Sequence, residues 1–458
     1  MKFAQVMDYI EERNKLGSVP GLDNIKGLLE RLGNPEKGIP AFHIAGTNGK
    51  GSIMAYVESV LIEAGYKVGR YISPTIIDYR ERWQINKRYI SKKECAEILT
   101  EVIDAVGRME EEGAGRPTSF EIETAAAFLW FNKSECDIIL IECGMGGRLD
   151  ATNVFETTPI DILASISFDH MQFLGETLEE ITREKLGIMK KGDILVSYPQ
   201  SEIPERIIDE FAAENIEVKT VGNTNGSNNE DSSISEKLSR RYFKADISEI
   251  SDVSESLDKT GFVYKGEKYT IHLAGGAQVL NAITAIEAID AFNSISENYG
   301  FEEIPLKTVK AGLRKTRWQG RFTVLNKEPL FIVDGAHNED AWKKLSADVR
   351  KYFTNRKLIY IIGVLGDKEY PKMLDMLTPD MYSAFTVTTD SPRALDGNVL
   401  AGLIRERGVR AVYAESVEKA VEDAFSLAKE TPDSVIIACG TLSFAGDVIR
   451  SVRSYLKK

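Results

Sequence analysis

The sequence predicts an α/β protein built on parallel sheets covered by helices. Short apolar runs alternate with amphipathic stretches over nearly the whole length, which is the pattern such sheets require. Several of those runs also end in a glycine-rich or polar turn that opens a helix. In chain order the strand candidates are 42–45, 68–72, 137–142, 160–166 and 194–197, then 330–333, 358–362, 384–388, 411–413 and 434–438. The helices between them carry apolar residues at three-to-four spacing, as in Val417, Val421, Phe425 and Ala428. No repeat of fixed period is present.

A length of 458 residues, at roughly 150 per domain, suggests two or three domains. Residues 222–238, GNTNGSNNEDSSISEKL, are polar and nearly free of large apolar groups, which reads as a flexible surface insertion. Residues 262–273 read as a hairpin around Lys265–Gly266. A boundary near Arg317–Arg321 divides the chain into domains 1–317 and 318–458. Lysine and arginine number 57 against 70 acids, a net charge of −13. Bulk attraction to nucleic acid is therefore excluded, and any polyanionic ligand needs a local cationic site. No run approaches the roughly 18 apolar residues that span a bilayer. The opening MKFAQVMDYIEERNKLG has acids among its apolar positions, unlike a secretory signal. Cys95, Cys136, Cys143 and Cys439 lie far apart with no CxxC pair, and read as buried thiols of a reducing, cytoplasmic compartment.

Four strand ends carry candidate chemistry. The first is Gly46-Thr47-Asn48-Gly49-Lys50-Gly51-Ser52, between a strand and a helix. Backbone amides and a helix N-terminus concentrate positive potential on a phosphate there. Lys50 adds a mobile charge, and Ser52 a hydroxyl able to ligate magnesium. Gly51 separates the two, so the spacing departs from the strict phosphate-loop pattern; the alternative is a tight turn without ligand. In the second, the run 138–141 ends in Glu142 and the turn CGMGGRLD. Leu149 stands where a dinucleotide fingerprint needs its third glycine, so a magnesium carboxylate is the better reading. The third, Ser167-Phe168-Asp169-His170, offers His170 as a candidate metal ligand beside the same sheet edge. The fourth is Asp334-Gly335-Ala336-His337-Asn338, where a helix cap and a ligand site are evenly matched readings.

Taken in order, GTNGKGS (46–52), SP (73–74), ECGMGGRLDATN (142–153), DH (169–170), EKLGI (184–188), QVLNA (278–282) and DGAHN (334–338) resemble the folylpolyglutamate synthase/dihydrofolate synthase family of the Mur ligase superfamily. The resemblance runs from about residue 20 to the C-terminus. It implies a P-loop ATPase domain on a mostly parallel central sheet, and a smaller Rossmann-like domain after it. By resemblance, the catalytic set is Lys50, Glu142, His170 and Lys185, the last carbamylated in this superfamily. Gly46–Ser52 and Asn281, Arg321, Asp334 and His337 would hold ATP. Ser52, Ser73, Glu142 and His170 would surround Mg2+, and Arg82, Phe120, Arg148 and Asp150 would meet the folate.

The implied reaction joins L-glutamate to a folate carboxylate through an acyl phosphate, giving ADP and phosphate, with dihydropteroate left open as a second acceptor. A monomer without nucleic acid or membrane partners is expected. Thr75 and Trp83 depart from the family pattern, and they lie in the loops that would meet the pterin. A Mur-type ligase of another acid, or a non-catalytic homologue, are the rival readings. The short helical lead before residue 46 leaves no room for a nucleotide-sugar domain, which counts against the first.

Overall fold

The computed structural model describes residues 1–15, 17, 20–215 and 241–457, so the insertion expected at 222–238 lies outside the described residues. They form two compact units. Residues 1–73, 80–250 and 280–315 make the first, and 74–79, 251–279 and 316–458 the second. The last crossing falls at 315/316, close to the expected 317/318, and two earlier segments group with the second unit. Long-range contacts are the reason. Ile76 and Ile77 join an apolar core of the second unit, and Arg450 donates to the Ile77 carbonyl at 3.0 Å. Glu255 accepts from Lys351 at 2.7 Å and from Tyr352 at 2.9 Å, while the Gly276 amide donates to Asp348 at 2.9 Å.

The first unit contains β1 (Ala41–Ala45), β2 (Val68–Tyr71), β3 (Trp83–Ile85), β4 (Arg88–Tyr89), β5 (Ile138–Glu142), β6 (Ile160–Leu163), β7 (Ile194–Ser197) and β8 (Tyr242–Lys244). They form one sheet in the order β4-β3-β2-β5-β1-β6-β7-β8. All neighbours from β2 to β8 pair in parallel, and only the short β3 and β4 add antiparallel edges. β1, β5 and β6 are buried along their whole length, as expected of strands covered on both faces. The helix Lys50–Glu63 follows β1, and its residues 52–61 are all buried.

The second unit holds β9 (Ile250–Glu255), which begins one residue before it, β10 (Thr260–Tyr264) and β11 (Glu267–Ile271), a small sheet that includes the expected hairpin. Its main sheet comprises β12 (Thr323–Lys327), β13 (Leu330–Asp334), β14 (Lys357–Ile362), β15 (Met381–Thr386), β16 (Arg410–Tyr413) and β17 (Ser434–Cys439). The order is β12-β13-β17-β14-β15-β16, parallel except for β12. Apolar clusters around Trp342 and Tyr360 on one side, and Phe331 and Phe425 on the other, form its cores. The α/β class read from the sequence is the class observed. β6 ends three residues short of the run at 160–166, because Ser165 turns its carbonyl to the amides of Thr47 and Asn48.

Candidate active site

Parallel register sets the site of the first unit. Ile44 of β1 lies opposite Glu142 of β5, and Ala45 opposite Leu163 of β6. Three adjacent strands therefore deliver the phosphate loop, the Glu142 carboxylate and the loop to His170 to one sheet edge, where α/β sheets bind ligands. The amides of Thr47 and Asn48 donate to Ser165 at 2.8 and 3.1 Å, and the Thr47 hydroxyl to the Ser167 carbonyl at 3.0 Å. Gly49 starts the helix at φ +90, and a Cβ there would sit 2.7 Å from Asn281 Oδ1. Only glycine meets both demands. Asn281 is thus placed at the phosphate loop.

Two lysines converge on this loop. Lys50 Nζ donates to the carbonyls of Gly46 at 3.1 Å and Thr47 at 3.4 Å, and lies 3.9 Å from Glu142 Oε1. Lys185, buried at the end of the helix Leu178–Leu186, donates to the same Gly46 carbonyl at 3.1 Å. Burial first, and Lys50 second, lower the Lys185 ammonium to about 7. An amine about half neutral at neutral pH is the consequence. Ser52 is buried in the first helical turn, and Glu142 is buried at the strand end.

The segment 142–153 links Glu142 to Lys185. Asp150 accepts from the amides of Met145 at 2.8 Å and Thr152 at 2.9 Å, and from the Thr152 hydroxyl at 2.6 Å. Burial pushes its carboxyl up, and these donors pull it back. Asn153 donates to the carbonyls of Arg148 at 3.0 Å and Gly187 at 2.9 Å. A Cβ on Gly147 would lie 2.7 Å from the carbonyl oxygens of Glu184 and Lys185, so the turn packs directly on the helix end. Asp150, expected at the folate, is buried in the turn it staples. Arg148 is exposed and pairs with Glu184 at 3.0 Å.

Arg82 pairs with the buried Glu123 at 3.1 Å, and Phe120 presses on the same glycine turn, 2.7 Å from where a Gly144 Cβ would be. Ser73 is half-buried at the end of the segment after β2. His170 stands at φ +50, with its side chain 42% exposed and 3.9 Å from Asp169. Among the described residues, no three His, Cys, Asp or Glu side chains gather as a metal cluster. The expected ligand set does not require one, since two of its members are hydroxyls.

In the second unit, β13 ends in Asp334, which accepts from the amides of Phe322 at 2.7 Å and Ala336 at 2.8 Å. Burial raises its carboxyl, and the nearby Arg321 opposes the rise. Arg321 also lines a cavity of about 700 Å³ with Lys259, His272 and Trp318. His337 Nδ1 is 2.9 Å from the Gly335 carbonyl, and Asn338 caps the helix Glu339–Tyr352. The neighbouring ends of β14 and β15 carry groups that the sequence reading passed over: Arg393 pairs with Asp367 at 2.9 Å, and its carbonyl accepts from Gly366 at 2.8 Å. The strand-end rule, extended to 358–362 and 384–388, finds them.

A phosphate loop on a parallel sheet and a second parallel-sheet unit define a Mur-type ligase. The Mur ligase middle domain matches residues 44–289, and the Mur ligase glutamate ligase domain residues 320–442. The chain belongs to the dihydrofolate synthase/folylpolyglutamate synthase family of these ligases. It is 32% identical over 98% of its length to the dihydrofolate synthase/folylpolyglutamate synthase of Bacillus subtilis, covering 99% of that protein. It is 30% identical to a probable dihydrofolate synthetase of Schizosaccharomyces pombe, with 95% and 98% of the two chains covered. A folylpolyglutamate synthase of Mycobacterium tuberculosis, solved with ADP and AMPPCP, superposes with a TM-score of 0.82 at 26% identity, over 100% of this chain and 98% of that one.

Proposed function

We propose that this protein is an ATP-dependent ligase that adds L-glutamate to the carboxylate of a folate. The observation that carries this is the gathering of Lys50, Glu142 and Lys185 about one phosphate loop, in a chain of this family. A carboxylate and an amine do not condense efficiently in water, because the departing oxygen is a poor leaving group. Transfer of the γ-phosphoryl of ATP to the carboxylate makes an acyl phosphate. The glutamate amine attacks its carbonyl carbon, a C–N bond forms, the C–O bond to phosphate breaks, and the amine loses a proton. Amide, ADP and phosphate result.

The chain's share is positioning and charge. The amides of 49–52, at the start of the helix, cradle the phosphates, and Lys50 crosses from its loop carbonyls to the transferred group. Asn281 is our candidate for the base, and Arg321, Asp334 and His337 for the nucleotide side of the second unit. Ser52, Ser73, Glu142 and His170 are our candidate ligands for Mg2+. The fit rests on their chemistry: hard oxygen donors dominate, and the one carboxylate stands beside the loop. When bound, the ion would neutralise phosphate charge. Arg82, Phe120 and Arg148 are our candidates on the folate side, with Asp150 behind them. The four free cysteines are all buried, which supports a reducing, cytoplasmic setting, and we read the protein as a monomer. Among the described residues, no helix is long and apolar enough to cross a membrane.

Dihydropteroate is our second acceptor, because the Bacillus subtilis relative is named for both activities and the fission-yeast relative for dihydrofolate synthesis. Phosphate release with ATP, Mg2+ and glutamate, run separately with tetrahydrofolate, dihydropteroate and a uridine-linked cell-wall precursor, tests the reading. Release is expected with tetrahydrofolate. Release with the cell-wall precursor alone would overturn the folate assignment, and release with dihydropteroate alone would restrict it to dihydrofolate synthesis.

A further inference from the structure

His43 has no part in the chemistry above, yet it sits inside the sheet that carries it. It lies on β1, fully buried, three residues before the phosphate loop. Its Nε2 is 2.8 Å from Thr152 Oγ1 and 3.0 Å from Cys143 Sγ, and its ring meets Phe155 edge-on at 5.9 Å. Thr152 has one proton, and the short 2.6 Å contact to the Asp150 carboxylate takes it. Thr152 must then accept from His43, which fixes the ring as the neutral Nε2–H tautomer. Nδ1 is left with no hydrogen-bond partner in the buried interior. An orphaned acceptor costs stability that an apolar side chain of similar volume would spare. Packing alone therefore does not account for a histidine here.

We propose that His43 is a positioning residue for Glu142, acting through Thr152 and Asp150. The relay runs from the strand that enters the phosphate loop to the turn that leaves Glu142. Asp150 passes it on to the Met145 amide at 2.8 Å. Cys143, which directly follows Glu142, touches the same ring nitrogen. The ring thus braces both sides of the 3.9 Å gap between Lys50 and Glu142. This rests on the reading of Glu142 as a ligand of the metal–nucleotide complex.

The test compares His43→Gln, whose amide nitrogen reaches the place of Nε2, with His43→Asn, whose amide stops at the place of Nδ1, and with Thr152→Val. Mn2+ is the probe, its affinity for the protein with AMPPCP measured by electron paramagnetic resonance. Metal-free AMPPCP binding by calorimetry and thermal melting are followed alongside. His43→Asn and Thr152→Val should weaken Mn2+ by about tenfold or more, as losses behind a metal ligand do, with metal-free nucleotide binding unchanged. His43→Gln should restore most of the affinity. Equal losses in His43→Gln and His43→Asn would reduce the residue to packing and overturn the proposal. Wild-type affinity in Thr152→Val would also overturn it, and that variant carries the test if His43→Asn does not fold. Glu142→Gln separates the two readings: if it binds Mn2+ normally, the ligand reading of Glu142 falls; if it does not while His43→Asn does, only the relay falls.

Discussion

Lys185 and Lys50 share one acceptor: each ammonium stands 3.1 Å from the carbonyl oxygen of Gly46. Two cations on one carbonyl repel, and the deeper one yields. Lys185 has no carboxylate partner within salt-bridge distance among the described residues, so burial and the Lys50 charge together hold it at about 7. An amine that is half neutral at physiological pH is nucleophilic towards carbon dioxide. The resulting carbamate would be an anion that relieves the repulsion.

Lys185 should therefore carry a carbamate, in an amount that rises as pH passes up through about 7, the value that burial and Lys50 impose. Carbon-13 NMR under labelled carbon dioxide should show a carbamate signal that Lys185→Ala removes. Activity lost in Lys185→Ala should return in part with added short carboxylic acids. An enzyme with full activity and no carbamate signal at about pH 8 would refute this expectation.

Lys50→Ala should slow turnover by about a thousandfold or more, several kcal/mol of transition-state stabilisation. It should also lift the Lys185 pKa, since the second-largest cause of its depression is gone. The carbamate signal at neutral pH would then shrink. Near-normal ligation by this variant would contradict the phosphate-loop reading.

Much of this was legible in the sequence because strand ends announce themselves. Apolar runs that stop at Glu142 or enter Gly46–Ser52 mark the same sheet edge that the register later joins. What stayed hidden depends on long-range partners. Asp150 was expected at the folate, and only the Met145 and Thr152 donors reveal a staple. Arg82 gave no hint of Glu123, 41 positions away, to which it is bound at 3.1 Å. Segments 74–79 and 251–279 change units because Ile76, Glu255 and Gly276 find partners far along the chain. The strand β3 and the edge strands β4, β8, β9 and β12 were missed for a different reason. They are short or flanked by charge, and an edge strand needs no continuous apolar run.

Gly147→Ala should separate Glu142 from Lys185. The added methyl would meet the carbonyl oxygens of Glu184 and Lys185 at 2.7 Å and Ile188 Cγ2 at 3.0 Å. Backbone oxygens cannot swing aside, so the turn must lift from the helix. A loss of about 1–3 kcal/mol in stability is expected, the usual cost of overpacking, together with a marked fall in ligation rate. Chemical denaturation and steady-state kinetics check both. Wild-type values in both would show that the turn is free to move.

Asp348→Asn should stabilise the protein at neutral and alkaline pH while leaving its acid stability unchanged. Burial, with Asp334 and Glu255 adding to it, raises the Asp348 carboxyl to about 6 from an ordinary 3.8, although Gly276 donates to it and Lys351 opposes the rise. The folded state therefore holds this proton more tightly than the unfolded chain. Between those two values the folded state binds more protons, so stability falls as pH rises through the window and stays reduced above it. Asparagine keeps an oxygen for the Gly276 amide and carries no charge towards Asp334 or Glu255. Discounted for partial exposure, the gain at about pH 8 should be about 1–2 kcal/mol, a rise of several degrees in melting temperature. At about pH 4, where both forms are largely neutral in the folded state, the two proteins should melt together. A gain of equal size at both pH values would trace the stabilisation to packing and remove Asp348 from the titrating groups of the second unit.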